Sequence, residues 1–525
     1  MTALHSQFPA RPTLIPLEEL ADAQYNRGDV YVITTIAVIG GALFGFNIAS
    51  MSAILGTQQY KCYFNQGGLD EDGNCAGPTS STQGGISAAM PGGSFVGALA
   101  SGIIADMFGR RRSIQIGAVI WCIGSIITCA SYSIGQLVAG RFINGVSVGI
   151  CSAQVPVYVA ELAQPSKRGT VVGAQQWAIT WGILVMFYIS YGSSFIDGAG
   201  AWRIPWGLQM IPAILLFFAL FSLPEGPRWL AKKDRWEECH ETLDLVHATG
   251  NHNDHFVQTE LREIREMCEF EPSNKDATYL DLFKLNMINR THIDIFTHVW
   301  SQLTGMNICL SGNANLIASS IQYVINVVMT IFALLFIDRW GRRVPLLVGS
   351  TLMMTFMFAN AGIMKSYGKP APPGGVDHVA EESWDLPEAQ SAAKGVIACT
   401  YLFSCFPLRL RCKAVAVTTA SNWIFNFALS YFVPSAFENI KWKVYILFGV
   451  FCAAMTVHVF FFFPETAGKT VEDVDAMFQT KFKAWKTKVQ YHDIRRVEQG
   501  AGFEKSVDEE KNSPAVGEKR VEAVA

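Results

Sequence analysis

The chain has 525 residues, 50% of them hydrophobic and 16% charged, with a formal net charge of −3. This composition is too apolar for a soluble protein of this length, and the lack of a basic block excludes an obvious nucleic-acid interface. The apolar residues are concentrated in long runs, which predicts an all-α integral membrane protein.

The predicted elements begin after a polar, proline-containing segment, 1–29, which lacks the pattern of a cleaved signal peptide. Apolar runs of membrane-spanning character then follow in two groups. The first group lies at 30–55, 85–105, 113–132, 135–159, 170–190 and 204–223, and the second at 293–310, 316–337, 344–364, 414–431 and 444–463. We therefore predict helical bundles at 30–223 and 291–463, a cytoplasmic helical linker at 224–290 and a charged cytoplasmic tail at 464–525.

A charged turn of the form D-x-x-G-R-R occurs twice, from Asp106 and from Asp338, each time between two apolar runs. Two copies in corresponding places indicate that the chain is built from two related halves. Many transporters are built in this way and bind their substrate between the halves.

The short loops carry their arginines and lysines on one predicted side of the membrane. The positive-inside rule therefore places both termini in the cytoplasm. The neutral or acidic loops at 56–83 and 365–390 then lie outside. Cys62 and Cys75 share the first of these loops, so a disulfide there is one of two open alternatives, the other being two free thiols.

Five motifs together resemble the sugar porter family of the major facilitator superfamily, most of all its fungal hexose transporters. The motifs are the two charged turns, Gly140-Arg141, P-E-G-P-R-W-L from Pro224, Q-L-T-G-M-N from Gln302 and P-E-T-A-G-K-T from Pro464. The resemblance covers 30–474. It implies two six-helix bundles related as pseudo-repeats, which move by alternating access around a central sugar site.

Neutral amide side chains recur inside the predicted spans, where polar groups are costly and usually functional. An amide offers a sugar hydroxyl both a donor and an acceptor without burying a charge. By the resemblance, the sugar-contacting positions are Gln176, Gln302, Asn307, Asn326, Asn422 and Asn426. Hydrogen bonding between helices is the alternative role of each amide. Trp177 and Trp423 are candidates to stack on a sugar, although packing is the favoured role.

Asn47 lies in the middle of the first span. In proton-coupled members of the family the matching residue is an aspartate, which works with the arginine of the fourth span, here Arg141. An amide does not titrate, so the sequence favours facilitated diffusion over proton-coupled symport. The alternative is that another acid carries the coupling and Asn47 only packs.

The charges of the repeated turns resemble the family's inner gate, whose salt bridges hold the two halves together on the cytoplasmic side. Its residues here are Asp106, Arg110, Arg111, Glu161, Arg168, Asp338, Arg342, Arg343 and Arg411. Asp106 is expected to pair with Arg110 and Arg111, and Glu161 with Arg168. Glu225, Arg228 and Glu465 are expected to dock the bundles onto the linker helices.

Two places depart from the family. The seventh span ends soon after Asn307, and the apolar piece at 395–406 is too short for a full tenth span. Helices 7 and 10 are therefore predicted to be truncated, and Arg411 lacks its expected glutamate partner. Both gaps look like excisions from a matching chain, which favours a splicing or gene-model origin. The chain as written would otherwise be a defective transporter.

The predicted function is hexose transport in the plasma membrane by a protein that works as a monomer. A sugar sensor of the same fold, which signals instead of transporting, is a second possibility. No catalytic, metal-binding or cofactor-binding pattern stands out, so we expect neither an enzyme nor a cofactor. Membrane lipid and a small sugar are the expected partners.

Overall fold

The computed structural model describes residues 29–55, 57–66, 68, 75, 77–163, 168–247, 255–270, 288–305, 321–332, 343–370, 384–385, 415–465 and 484–487. The first half consists of α1 (Val30–Ala37), α2 (Ile39–Leu55), α3 (Gln58–Tyr63), α4 (Ser80–Phe108), α5 (Arg110–Cys129), α6 (Ile134–Leu162), α7 (Arg168–Ser193), α8 (Gly200–Leu208) and α9 (Met210–Ala219). A 3-10 turn at Leu220–Ser222 ends this half.

The linker and second half continue with α10 (Pro227–Lys232), α11 (Trp236–His247), α12 (His255–Phe270), α13 (Ile288–Leu303), α14 (Ile321–Phe332), α15 (Arg343–Tyr367), α16 (Val415–Ile440) and α17 (Lys443–Phe462). A two-residue pair, β1 (Lys369–Pro370) antiparallel to β2 (Trp384–Asp385), and a 3-10 turn at Ala484–Lys486 complete the described elements. Within these ranges, eight helical segments are long and apolar enough to cross a membrane. The predicted all-α membrane fold is confirmed.

The predicted truncation of helices 7 and 10 falls on residues outside the described ranges. The seventh span is described as far as Gly305, and the piece at 395–406 is not described.

The sixth span is broken where hydropathy predicts one continuous helix. Gln209 separates α8 from α9. Pro212 has no backbone N–H, so it cannot donate to the carbonyl of Leu208 four residues earlier. The break therefore follows from the position of a proline in an otherwise uninterrupted apolar run.

The first charged turn is tighter than predicted, because α5 begins at Arg110 and only Gly109 separates it from α4. Gly109 has φ +95°, which favours glycine, and an added Cβ would lie 2.6 Å from Oε2 of Glu225. Glycine is thus required both by the backbone and by the approach of a carboxylate.

Four glycines bring α4 and α6 into backbone contact. A Cβ on Gly93 or Gly97 would lie 2.0 or 2.1 Å from a carbonyl oxygen of α6, and a Cβ on Gly145 or Gly149 would lie 2.1 Å from one of α4. We call this contact the glycine seam. It lets the two backbones approach closely without intervening side chains.

The two halves meet along α4 and α16 and along α7 and α14. Gly92 of α4 faces the ring of Phe427 on α16. On the other side, the rings of Phe187 on α7 and Tyr323 on α14 lie 5.0 Å apart. Trp423 of α16 is buried within the main apolar core of the first half, so the bundles share packed side chains.

The linker helices form a small core of their own, built from Trp229, Leu230, Cys239, Leu243, Val257 and Ile264. Of the three residues expected to dock the bundles onto these helices, Arg228 lies 4.0 Å from Glu260 of α12. Glu225 and Glu465 instead accept hydrogen bonds from backbone N–H groups at the starts of α5 and α15.

Candidate functional site

Three of the predicted sugar-contacting amides form one hydrogen-bonded group between α13 and α16, which we call the amide triad. Nε2 of Gln302 donates to Oδ1 of Asn422 at 2.7 Å, and Nδ2 of Asn426 donates to Oε1 of Gln302 at 3.0 Å. Asn422 and Asn426 are four residues apart on a helix, so both face α13. Gln302 thus binds both asparagines at once.

Two serine hydroxyls extend the triad. Oγ of Ser301 donates to Oδ1 of Asn422 at 3.2 Å, and Oγ of Ser430 donates to Oδ1 of Asn426 at 3.1 Å. The result is a chain of neutral donors and acceptors that satisfy one another at membrane depth. Such a group can exchange these bonds for those of a polyhydroxylated ligand without moving a charge.

Trp423 lies beside the triad on α16 and joins the two halves. Its Nε1 donates to Oγ of Ser152 on α6 at 3.2 Å, and its ring meets Phe44 of α2 edge-on at 4.9 Å. The side chain is only 1% exposed. Its contacts in this structure are those of a packing residue, whereas Trp177 on α7 is 37% exposed.

The remaining predicted amides are more scattered. Gln176 lies half-buried on α7, and Asn326 is buried on α14, where Oγ1 of Thr330 donates to its Oδ1 at 3.5 Å. Asn307 falls outside the described residues. Gln175, next to Gln176, is buried, and its Oε1 has no hydrogen-bond partner in the described structure. Hydropathy gave no reason to choose Gln175 over Gln176 as the sugar-contacting residue.

Asn47 and Arg141 are both buried, at 2% and 4% exposure. Oδ1 of Asn47 has no hydrogen-bond partner in the described structure. Nε of Arg141 instead donates to the carbonyl of Ile86 at 2.9 Å. No hydrogen bond or ion pair joins the two described side chains, so the arginine is held by a backbone group of α4.

The first charged turn forms a network inside the first half. Nε of Arg110 lies 3.2 Å from Oε1 of Glu161, and its Nη1 lies 3.6 Å from Oδ1 of Asp106. Lys232 of α10 also approaches Asp106 at 3.6 Å. Glu161 therefore pairs with Arg110. Arg168, its expected partner, begins α7, and its side chain is outside the described part.

Arg111 does not pair with Asp106 as expected. Its backbone N–H donates to Oε1 of Glu225 at 2.8 Å, and its Nη1 donates to the carbonyl of Leu223 at 2.7 Å. A carboxylate at this position satisfies a free N–H at the start of α5 and complements the helix dipole. Glu225 thus caps a helix of its own bundle.

The second charged turn repeats this arrangement. The backbone N–H of Arg343, which begins α15, donates to Oε2 of Glu465 at 3.0 Å, and its Nη2 donates to the carbonyl of Phe460 at 2.8 Å. Glu465 is 3% exposed. Asp338, Arg342 and Arg411 lie outside the described residues. Both motifs begin with the same dipeptide, Pro224-Glu225 and Pro464-Glu465. This repeated dipeptide was the sequence signal that could have predicted both caps.

Cys62 and Cys75 are joined by a disulfide in the structure. Cys62 lies on α3. Tyr60 of this helix and Phe64 directly after it pack with Trp202 and Trp206 of α8. The link ties the segment before α4 to a helix that is anchored on the bundle.

Two packed helical bundles, with a hydrogen-bonded group of neutral amides inside the second, define a membrane transporter of the major facilitator fold. Solved structures agree with this fold. A proton:xylose symporter bound to 6-bromo-6-deoxy-D-glucose gives a TM-score of 0.69 at 24% identity over 86% of this chain and 100% of that chain. The inward-open xylose transporter of E. coli gives a TM-score of 0.63 at 23% identity over 85% and 99%.

Sequence comparison gives the particular family. Residues 33–478 match the model of the family described as "Sugar (and other) transporter". A high-affinity glucose transporter of Kluyveromyces lactis is 45% identical, over 87% of this chain and 87% of that protein. High-affinity glucose transporter 1 of Candida albicans is 41% identical, over 88% of each. The chain belongs to the sugar transporter family.

Proposed function

We propose that this protein transports hexose across the membrane by alternating access and facilitated diffusion. The observation that carries the proposal is the amide triad, in which Gln302 of α13 binds Asn422 and Asn426 of α16. The names of the relatives from Kluyveromyces lactis and Candida albicans support glucose as the substrate class.

The triad suits a sugar because its bonds are neutral and mutual. An incoming hexose can take over the bonds between Gln302 and the asparagines, so that no amide is left unsatisfied in either state. Gln176, Asn307 and Asn326 are proposed to complete the contacts from the other spans. The cost of releasing one set of hydrogen bonds is offset by the set that replaces it.

The charges at the cytoplasmic ends are proposed to gate the cycle. In the described residues the first network, with Arg110 between Asp106 and Glu161, belongs to one bundle. Such a network keeps α4, α5 and α6 together, so that the bundle can rotate as a unit against its partner. Arg168, Asp338, Arg342, Arg343 and Arg411 are proposed to complete the gate.

Asn47 supports the uniport mechanism, because the amide cannot carry a proton through the cycle. Cytoplasmic pH measured after glucose addition should stay constant in cells that express the protein. A sugar-dependent influx of protons would exclude uniport. Asn47→Asp introduces a titratable group at this position, and we expect the transport rate of the variant to become pH-dependent.

We further propose that the protein lies in the plasma membrane, with both termini cytoplasmic and the disulfide-bonded segment outside. Each chain would work as a monomer in contact with membrane lipid. The bundles at 30–223 and 291–463 would be the moving units, with the linker at 224–290 and the tail at 464–525 on the cytoplasmic side.

Uptake of labelled glucose by a host that lacks hexose transporters tests the proposal. Uptake should saturate with glucose, and Gln302→Ala at equal surface expression should need about tenfold or more glucose to reach half of its maximum. A sensor is the second candidate, since a high glucose sensor of Saccharomyces cerevisiae is 29% identical over 85% of this chain and 60% of that protein. Glucose binding without uptake would favour the sensor, and neither binding nor uptake would indicate a defective chain.

A further inference from the structure

A histidine–tryptophan hydrogen bond lies on the face of α13 that is turned away from the amide triad. Nε1 of Trp300 donates to Nδ1 of His458 on α17 at 2.8 Å. Trp300 and Gln302 are two residues apart, which separates their directions by about 200° around the helix. Helix α13 is therefore held on one side by α17 through His458 and on the other by α16 through the triad.

The surroundings of His458 are aromatic. The ring of Phe296 lies 4.8 Å away, that of Phe462 5.0 Å and that of Phe463 5.5 Å. His292 of α13 meets it edge-on at 5.0 Å. The histidine lies one turn before the end of α17, at the end of the bundle that carries the Arg343–Glu465 cap.

The chemistry of the bond makes it conditional on protonation. An indole N–H can only donate, so Nδ1 of His458 must be the acceptor, which requires a neutral imidazole. A protonated imidazole has a donor on both nitrogens. Protonation would place the N–H of His458 against the N–H of Trp300, and the two side chains would have to separate.

Other titratable groups lie near this end of α17. His292 faces His458 directly, and a proton on one ring disfavours a proton on the other. Arg343 of α15 and Glu465 are bonded to each other through the cap. Further titratable or charged residues occur on elements packed against α17, namely Asp294 and His298 on α13, Lys365 on α15, Glu438 on α16 and Lys486 in the 3-10 turn. Lys365 and Glu438 lie at the opposite end of their helices.

We propose that His458 is a positioning residue for the sugar site and makes transport sensitive to acid. When neutral, it anchors Trp300 and so holds α13 with Gln302 against Asn422 and Asn426. When protonated, it releases Trp300, α13 loses the hydrogen bond that fixes it to α17, and sugar exchange slows. This inference rests on the proposed function, because it acts through the triad.

The matched variants are His458→Gln and Trp300→Phe. Glutamine keeps an acceptor for the indole N–H but does not titrate, and phenylalanine removes the donor while keeping an aromatic ring. Purified protein in liposomes is compared in glucose exchange at about pH 7.5 and about pH 4, because the apolar rings around His458 and the neighbouring His292 oppose protonation of its imidazole. The pH is equal on both faces, so that no proton gradient contributes.

We expect the exchange rate of the unchanged protein to fall several-fold at the lower pH. His458→Gln should match the unchanged protein at the higher pH and stay nearly constant. Trp300→Phe should be slow at both. Equal pH profiles for the unchanged protein and His458→Gln would overturn the proposal.

A second measurement does not depend on transport. The melting temperature in detergent should fall more between the two pH values for the unchanged protein than for His458→Gln or Trp300→Phe. An equal fall in all three would also overturn the anchoring role. Absence of glucose exchange by the unchanged protein at both pH values would instead contradict the proposed function, and the melting comparison would still decide the role of His458.

Discussion

The backbone N–H of Arg343 donates to the carboxylate of Glu465, as that of Arg111 does to Glu225 in the other half. Each glutamate follows the last span of its bundle and caps the helix that follows the charged turn. The two halves therefore share the same helix cap as well as the same sequence motif. This relationship ties the ends of each bundle together.

Removing either cap should destabilise the bundle to which it belongs. Glu465→Ala and Glu225→Ala each leave a helix N-terminus without its carboxylate, at a cost of about 1 kcal/mol. Melting in detergent should show a lower transition temperature for both. Glu266→Ala, an exposed residue of α12, is the control and should have no effect. If the caps were unimportant, all three variants would melt alike.

Gln302→Ala removes the centre of the triad. It leaves Asn422 and Asn426 without their shared partner and removes two hydrogen bonds available to a sugar. We expect glucose affinity to fall by about tenfold or more, the equivalent of one or two hydrogen bonds. Calorimetry on the purified protein measures this directly. Gln136→Ala, which changes a locally bonded amide at the start of α6, should leave the affinity within about twofold.

Trp423→Ala should be strongly destabilising, because the side chain is 1% exposed and packs between the halves. Truncating a buried tryptophan costs about 3–5 kcal/mol. Trp181→Ala changes a tryptophan that is 42% exposed and should cost much less. Denaturant unfolding of the two variants compares them. A similar loss in both would mean that Trp423 contributes no more than a residue at the surface of the bundle.

The disulfide should stabilise the protein from the proposed outer side. Cys62 and Cys75 are separated by 13 positions, and closing a loop of that size contributes about 3 kcal/mol. A reductant should therefore lower the melting temperature of the unchanged protein and have no effect on Cys62→Ser with Cys75→Ser. After mild reduction of intact cells, an impermeant maleimide should label these cysteines. Labelling only after permeabilisation would invert the proposed topology.

Apolar runs were sufficient to predict most of the spans, because burial in lipid depends on composition over some twenty residues. They could not predict the break at Gln209, which depends on the missing N–H of Pro212. Spacing placed Asn422 and Asn426 on one face of α16, since helical periodicity is local. The identity of their partner on α13 depends on how two helices separated by more than a hundred residues pack.

The caps show the same limit. The glutamates after the last span of each bundle were expected to contact the linker helices, which follow Glu225 in the sequence. Folding instead brings each to the start of a helix that lies far away in the chain. Glu161 was expected to pair with Arg168, whose side chain is not described, and the packing of α5 against α6 brings Arg110 to it.

The glycine seam has a mechanical consequence. With backbone set directly against backbone, α4 and α6 have no layer of adjustable side chains between them to absorb a displacement. A tilt imposed on α4 by Phe427 is therefore passed on to the helix that carries Arg141 and Ser152. The two helices therefore move as one rigid unit. Substituting a larger residue for any of the four glycines should block this movement, and so transport, before it weakens the binding of sugar.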